Sequence, residues 1–432
     1  MFKRILSSFI ALIFALLPFG QKPEQKTKAE LNGTFIQSWY CLWWDDARWQ
    51  EEIEYMKNAG IEYLILQDTA SFFDADSAEL YYPSELECFE NCEKYGDVIG
   101  DALRNCCGSG IKVFVGFADY EAWWTLAGLS PQYNKICDKT ALMAEEIYNR
   151  YYEKYSDAFY GWYFTPEINN VPTMKLSILN IAKGFNRIID KVNELNPDMP
   201  MLLSPYFTNY ISVPSVVGVL PEWQAFMQAA HFRDGDIFAP QDAVGAGWVK
   251  MNDLEKVWKM YSAAVDSCDK DIELWANCEN MTVARDFVPL MPPATVENEN
   301  MTATLDRFVE QMNVASKYVD NIITFSFNHY YCPLNTNPVY YDTYLDYLNN
   351  GDRLETEAPT APQNVTVSDG VLTWDEAEDN IGIAYYLIYK GKKAAARIES
   401  GSELCYELDG KKNYSIAAFD GAGNKSEVIE CR

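Results

Sequence analysis

The sequence predicts an α/β protein, a (β/α)8 TIM barrel followed by a small all-β unit, on three observations. Between Gly33 and Gly351, short β-branched or aromatic runs alternate with longer amphipathic segments eight times. Sustained alternation of this kind means parallel strands joined by crossover helices. About 320 residues carry the eight units, the size of a barrel with modest loop insertions. Beyond Gly351 the helical period stops and only short strand-like runs remain.

The expected strands, in order, are Thr34–Trp39, Tyr63–Gln67, Lys112–Phe117, Phe159–Phe164, Met199–Pro205, Asp236–Pro240, Glu273–Ala276 and Asn321–Phe327. Each has strand length and is bounded by polar or turn residues. Between them, Trp49–Met56 puts apolar residues at helical spacing and stops at Gly60, and Tyr95–Cys107 stops at Gly108 or Gly110. Leu142–Tyr155, Met174–Leu195, Glu222–His231, Leu254–Val265 and Thr302–Tyr318 read the same way, and Tyr340–Leu348 closes at Gly351. A doubly wound open sheet is the competing architecture. It normally carries a glycine-rich phosphate turn after its first strand, and here that turn is Ser38-Trp39-Tyr40-Cys41-Leu42-Trp43-Trp44.

Residues 31–351 are therefore expected to form the barrel, and residues 352–363, with Pro359, Pro362 and several acids, a linker. Residues 364–432 show the runs Val365–Val367, Val371–Trp374, Ala384–Tyr389, Ala395–Ile398 and Tyr414–Ala418, the pattern of a small sandwich. The segment resembles a fibronectin type III module. The resemblance rests on Ala361-Pro362, Leu372-Thr373-Trp374, Asp379–Gly382 before Tyr386–Tyr389, and Tyr414 ahead of Ala418-Phe419-Asp420-Gly421-Ala422-Gly423-Asn424. It implies an immunoglobulin-like fold of the kind appended to secreted bacterial carbohydrate enzymes, where such modules serve as spacers more often than as sugar binders.

Residues 1–30 read as a signal peptide and polar leader. Lys3 and Arg4 precede the mostly apolar run Ile5–Phe19, and the Lys-rich stretch Gln21–Glu30 follows. The expected location is extracellular or at the cell surface. The apolar run is shorter than the ~20 residues of a membrane span. No small-x-small cleavage site is evident, so an uncleaved membrane anchor is the alternative. The 11 cysteines have no regular spacing. Cys106-Cys107 and Cys88/Cys92 lack the His or Cys partners of a zinc site.

A formal charge of -28 argues against nucleic acid, anionic lipid and strongly anionic polysaccharide as partners, because each needs a basic footprint. The 12 Trp, 29 Tyr and 22 Phe exceed what a core of this size needs and favour a surface that stacks on flat partners. With only His231 and His329 in the chain, a His-rich metal centre is excluded and no His-Glu-x-x-His motif exists. No Gly-x-Ser-x-Gly elbow, Walker loop or dinucleotide fingerprint appears, so no metal and no cofactor is expected. A monomer is expected.

In barrels the chemistry projects from the C-terminal strand ends. Strand four runs Phe159–Phe164 into Thr165-Pro166-Glu167, and strand seven, Glu273–Ala276, leads into Asn277-Cys278-Glu279; Glu273 and Glu279 share inward parity, but only Glu279 lies at the C-terminal tip. Two carboxylates facing each other across a barrel mouth are what retaining glycoside hydrolysis requires. Other strand ends offer aromatic and amide groups suited to a sugar's apolar faces and hydroxyls: Trp39, Gln67, Trp123, Trp124, Tyr206, Gln241, Asp242, Asn328 and His329, with Gln37 and Asp119 beside them. The expected catalytic pair is Glu167 and Glu279, and the expected partner is a carbohydrate.

Acids at the ends of strands four and seven resemble the large retaining glycosidase superfamily of (β/α)8 barrels. That resemblance implies Glu167 as acid/base and Glu279 as nucleophile. Where the superfamily carries an Asn before the strand-four Glu, this chain has Pro166. The stretch Gly33–Asn328 also resembles a family of secreted bacterial barrels catalogued as a domain of unknown function and related to glycosidases. The matching pieces are Gly33–Gln37, Ile65–Gln67, Val113–Phe117 and Gly161-Trp162-Tyr163 leading to Glu167-Ile168. The leading expectation is a secreted, retaining glycoside hydrolase acting on neutral poly- or oligosaccharide. The alternatives are a non-catalytic carbohydrate-binding barrel at the cell surface and a different enzyme such as a lyase or esterase.

Overall fold

Eight parallel strands close on themselves in the computed structural model, which describes residues 25–208, 216–283, 300–410 and 413–431. They are β1 Gly33–Ile36, β2 Tyr63–Leu66, β3 Lys112–Gly116, β4 Phe159–Phe164, β5 Met201–Leu203, β6 Ile237–Phe238, β7 Glu273–Glu279 and β8 Asn321–Phe325. β8 returns to β1 in parallel register, Gly33 beside Ile323 and Thr34 beside Thr324, and that pairing closes the barrel. After each strand comes a helix: α1 Asp46–Asn58, α2 Val98–Cys106, α3 Tyr133–Tyr155, α4 Pro172–Leu195, α5 Leu220–Ala229, α6 Met251–Val265, α7 Leu305–Ala315 and α8 Pro338–Asn349. The expected alternation is therefore observed.

Alternate residues of each strand fill the interior. Phe35, Ile65, Phe114, Tyr163, Leu202, Ile237, Trp275 and Ile323, one from each strand, pack into an inner cluster. The side chains of opposite parity join a much larger cluster between strands and helices. The tube is thus plugged below, and the space for a ligand lies above, at the strand C-termini. Gly116 and Gly161 allow this packing: a Cβ on Gly116 would lie 2.1 Å from the Gln67 carbonyl, and one on Gly161 2.7 Å from the Phe114 ring.

Several boundaries differ from the sequence expectation, each for a local reason. β1 ends at Ile36, because Ser38 turns away to give its N–H and its hydroxyl to Asp68. β6 is only two residues long, since Pro240 has no N–H to extend its ladder. β7 continues three residues past Ala276, so Glu279 lies within the strand and pairs with Phe325. α3 begins nine residues before Leu142, carried by the buried row Tyr133, Ile136, Cys137, Thr140. Two additions escaped the periodicity argument. A four-stranded sheet of Ala70–Asp74, Ser77–Leu80, Glu93–Lys94 and Ala118–Tyr120 rises beside the mouth, and a hairpin of Met281–Val283 with Asn300–Thr302 follows β7.

Beyond the barrel, seven short strands form two antiparallel sheets. They are β9 Gln363–Ser368, β10 Val371–Asp375, β11 Ile383–Lys390, β12 Lys393–Glu399, β13 Cys405–Glu407, β14 Tyr414–Asp420 and β15 Ile429–Glu430. One sheet has the order β9-β10-β13 and the other β12-β11-β14-β15. Leu372, Trp374, Tyr386, Ile388, Tyr414 and Ile416 share one core between them. β13 and β15 were not expected.

The sheets are docked on the barrel. The carbonyls of Gly421 and Ala422 accept the N–H groups of Leu305 and Asp306 at the start of α7. Arg397 of β12 donates to the Thr302 carbonyl at 3.0 Å and to the Tyr340 hydroxyl at 2.5 Å, and its guanidinium lies 3.9 Å from the Tyr385 ring centre. The apolar run Ile5–Phe19 lies outside the described residues. Among the described residues no helix is long and apolar enough to cross a membrane, and none of the cysteines forms a disulfide.

Candidate active site

A cavity of about 420 Å³ opens at the C-terminal ends of the strands, and both Glu167 and Glu279 line it. Glu167 follows β4 in a segment fixed on three sides. Thr165 donates to the Gln67 carbonyl, the Trp123 indole to the Glu167 carbonyl, and the Tyr206 N–H to the Ile168 carbonyl. Its carboxyl reaches the cavity and is otherwise enclosed by protein. Burial lifts it to about 7; a hydrogen bond from Gln241 opposes the rise and the nearby charge of Asp119 adds to it.

Glu279 projects from the tip of β7 and is 3% exposed. Its Oε2 accepts the Ala246 N–H at 2.6 Å. Gly245 makes that approach feasible, because a Cβ there would stand 2.4 Å from the Met281 carbonyl and 2.8 Å from the Glu279 Cβ. Burial pushes Glu279 up to about 8, and the charges of Asp242 and Glu167 add to this while the Ala246 N–H and Arg307 oppose it. The two carboxyls therefore feel each other across one cavity.

Asp242 lies behind this pair, fully buried. Its carboxylate accepts the N–H groups of Val244 and Glu279 and the amide of Gln311. Three donors against one make Asp242 the better anion of the two neighbours. α7 holds the arrangement from outside. Arg307 donates to the carbonyls of Met281 and Glu279, and Gln311 to the carbonyl of Glu279.

Of the other expected contacts, Gln67, Tyr206, Gln241 and Trp124 line the cavity. Trp124 is half-exposed at the rim, its ring 6.2 Å from that of Tyr206. Five residues do not reach it. Trp123 is fully buried in the core, since adjacent residues on a helical turn face different ways. Asp242 stands behind Glu279, outside the cavity lining, and accepts its N–H. Asn328 is buried and donates to the carboxylate of Glu52, itself held by Arg48 and Asn335. Trp39 stands exposed outside the cavity, 6.4 Å from the His329 ring. His329 packs edge-on against Tyr40 at 4.1 Å, and burial lowers it to about 4, so it is neutral.

The cavity also contains Gln37, Asp119, Asn277 and Trp248. Asn277 shares Glu279's parity on β7, a signal present in the sequence. Trp248 sits in an irregular loop after β6, where Ala243 has a positive φ of 55°, and no periodicity marks it. Among the described residues no group of three or more His, Cys, Asp or Glu side chains is arranged to hold a metal ion.

Residues 31–337 match the model of a family described as a domain of unknown function, DUF4434. The chain belongs to this family. A solved structure of a putative alpha-L-fucosidase from Bacteroides thetaiotaomicron resembles the DUF4434 barrel with a TM-score of 0.60 and 19% identity, over 76% of this chain and 99% of that one. That likeness is one of fold. Chitinase A1 of Niallia circulans is 33% identical over 79 residues, a match spanning 17% of this chain and 11% of the chitinase. The DUF4434 barrel thus shares its fold with that solved structure, and two enclosed carboxyls lie at its mouth.

Proposed function

We propose that the chain is a secreted, retaining glycoside hydrolase acting on poly- or oligosaccharide, with Glu167 as acid/base and Glu279 as nucleophile. The observation that carries the reading is the pair itself: two carboxyls from β4 and β7 lining one cavity, both raised by burial. In the first step a Glu279 oxygen bonds to the anomeric carbon as the glycosidic C–O bond breaks and the Glu167 proton passes to the leaving oxygen. In the second, water attacks that carbon and gives its proton to Glu167, releasing Glu279. The Ala246 N–H and Arg307 favour the ionised nucleophile, and the positive charge that develops on the sugar favours it further. Trp124, Tyr206 and Trp248 offer apolar faces to sugar rings, and Gln37, Gln67 and Gln241 offer amides to hydroxyls.

The same reading takes residues 1–30 as an export leader, 31–351 as the barrel, 352–363 as a linker and 364–432 as a fibronectin type III-like module. The two sheets of three and four strands with a shared core support the last assignment. The test is hydrolysis of a glycan panel by wild type, Glu167→Gln and Glu279→Gln. Cleavage by wild type that is lost in both folded variants supports the proposal. A wild type that binds glycans on an array and cleaves none replaces it with a carbohydrate-binding barrel.

A further inference from the structure

The cavity's polar lining is one-sided. Asp119, Glu167 and Glu279 place three carboxyls in it, and among the described residues no Lys, Arg or His lines it. Arg307, which acts on Glu279 electrostatically, commits its guanidinium to the backbone carbonyls of Met281 and Glu279 instead. Two amide oxygens join the acceptors. Asn277 is 1% exposed and lines the cavity, yet its Oδ1 accepts no hydrogen bond while its Nδ2 is used by Ser204. Gln67 Oε1 is likewise enclosed and without a donor. A buried acceptor left without a donor costs roughly 1–3 kcal/mol, so such groups point to a donor supplied by the ligand.

Asp119 and Gln67 line the cavity from adjoining strands. Gln67 follows β2 directly, and Asp119 lies on the segment Ala118–Tyr120 that continues from β3, the strand paired with β2. Asp119 uses one oxygen to accept the N–H of Tyr120, which leaves the other oxygen for a ligand. Retaining hydrolysis needs one ionised carboxyl and one protonated carboxyl. Asp119 is a further acid, beyond the pair, and burial raises it above the usual carboxylate range. A hydroxyl could donate to it without neutralising it. An ammonium group donates three hydrogens and removes the charge imbalance at once. A carboxylated or sulfated sugar would worsen the imbalance.

We propose that the cavity selects a sugar bearing a free, protonated amino group, held by Asp119 and Gln67, with Asn277 accepting from a hydroxyl on the facing wall. The proposal builds on the glycosidase reading, and the two are separable by experiment. Glucosamine and galactosamine are compared by titration calorimetry with glucose, galactose, N-acetylglucosamine and glucuronate, on wild type and Asp119→Asn. The expected result is at least tenfold tighter binding of the amino sugars than of their hydroxyl or N-acetyl counterparts, with no binding of glucuronate. Asp119→Asn should erase the difference. Equal affinity for amino and neutral sugars, absence of amino-sugar binding, or a preference that survives in Asp119→Asn would overturn the proposal. Cleavage of neutral glycans without amino-sugar preference removes this inference and leaves the hydrolase reading. Amino-sugar selection without cleavage of any glycan removes the hydrolase reading and leaves the selectivity.

Discussion

Glu279 occupies a position that is expensive for a carboxylate: enclosed, with one N–H donor, beside a second acid that has three. Burial raises both Glu279 and Glu167 above the usual carboxylate range, and Asp242 adds to the rise of Glu279. While both acids are protonated no nucleophile exists, and once both are ionised no acid remains. Hydrolysis should therefore follow a bell-shaped kcat/KM profile with its maximum above the usual carboxylate range, toward neutral pH. An initial-rate profile that is flat, or that peaks near pH 4, contradicts this. Asn328 offers a second test at this scale. Its amide serves the buried Glu52 and not the cavity, so Asn328→Ala should cost roughly 1–3 kcal/mol in denaturant unfolding and leave KM unchanged. Trp123 and Trp124 show what a sequence conveys at this scale and what it does not. That an aromatic pair stands at the mouth was legible; which ring points outward depends on the helical turn at Trp123–Leu126, which only tertiary packing fixes.

Among the elements, α7 links the site to the rest of the molecule. Arg307 lowers Glu279 and Asp242 electrostatically, so Arg307→Met should raise both carboxyls and move the rate optimum to higher pH. A loss of activity at unchanged pH optimum would mean that Arg307 acts only through the fold. The eight strands and eight helices were readable from the sustained alternation of the two patterns, with several periods in long elements such as Phe159–Phe164 and Pro172–Leu195. What escaped is short or set by distant partners. β15 exists only because β14 offers an edge, and the sheet beside the mouth joins Ala70–Asp74 to Ala118–Tyr120 across forty-odd residues of chain. Glu167 and Glu279 were legible because barrel geometry assigns chemistry to strand ends; the support from Asp242, Gln311 and Arg307 was not, since it crosses between elements.

For the whole molecule, the terminal sheets are more than an appended bead. Their loop at Gly421 and Ala422 takes the first N–H groups of α7, and Arg397 ties β12 to Thr302 and Tyr340. A spacer would leave the barrel indifferent to such contacts. Arg397→Ala should instead lower the melting temperature of barrel and sheets together in one calorimetric transition, losing roughly 1–3 kcal/mol. The sequence resemblance to a spacer module does not contain this, because docking depends on which surfaces meet.

The claim at the centre of the account is that Glu279 attacks a sugar that Glu167 helps to release. Intact-protein mass spectrometry of Glu167→Gln, incubated with an aryl glycoside whose leaving group needs no protonation, addresses it directly. Without the general base, the second step slows and a glycosyl-enzyme should accumulate, one sugar heavier, with the added mass on Glu279 after digestion. No adduct on any substrate that wild type cleaves, or an adduct carried by Glu167 in Glu279→Gln, would contradict it.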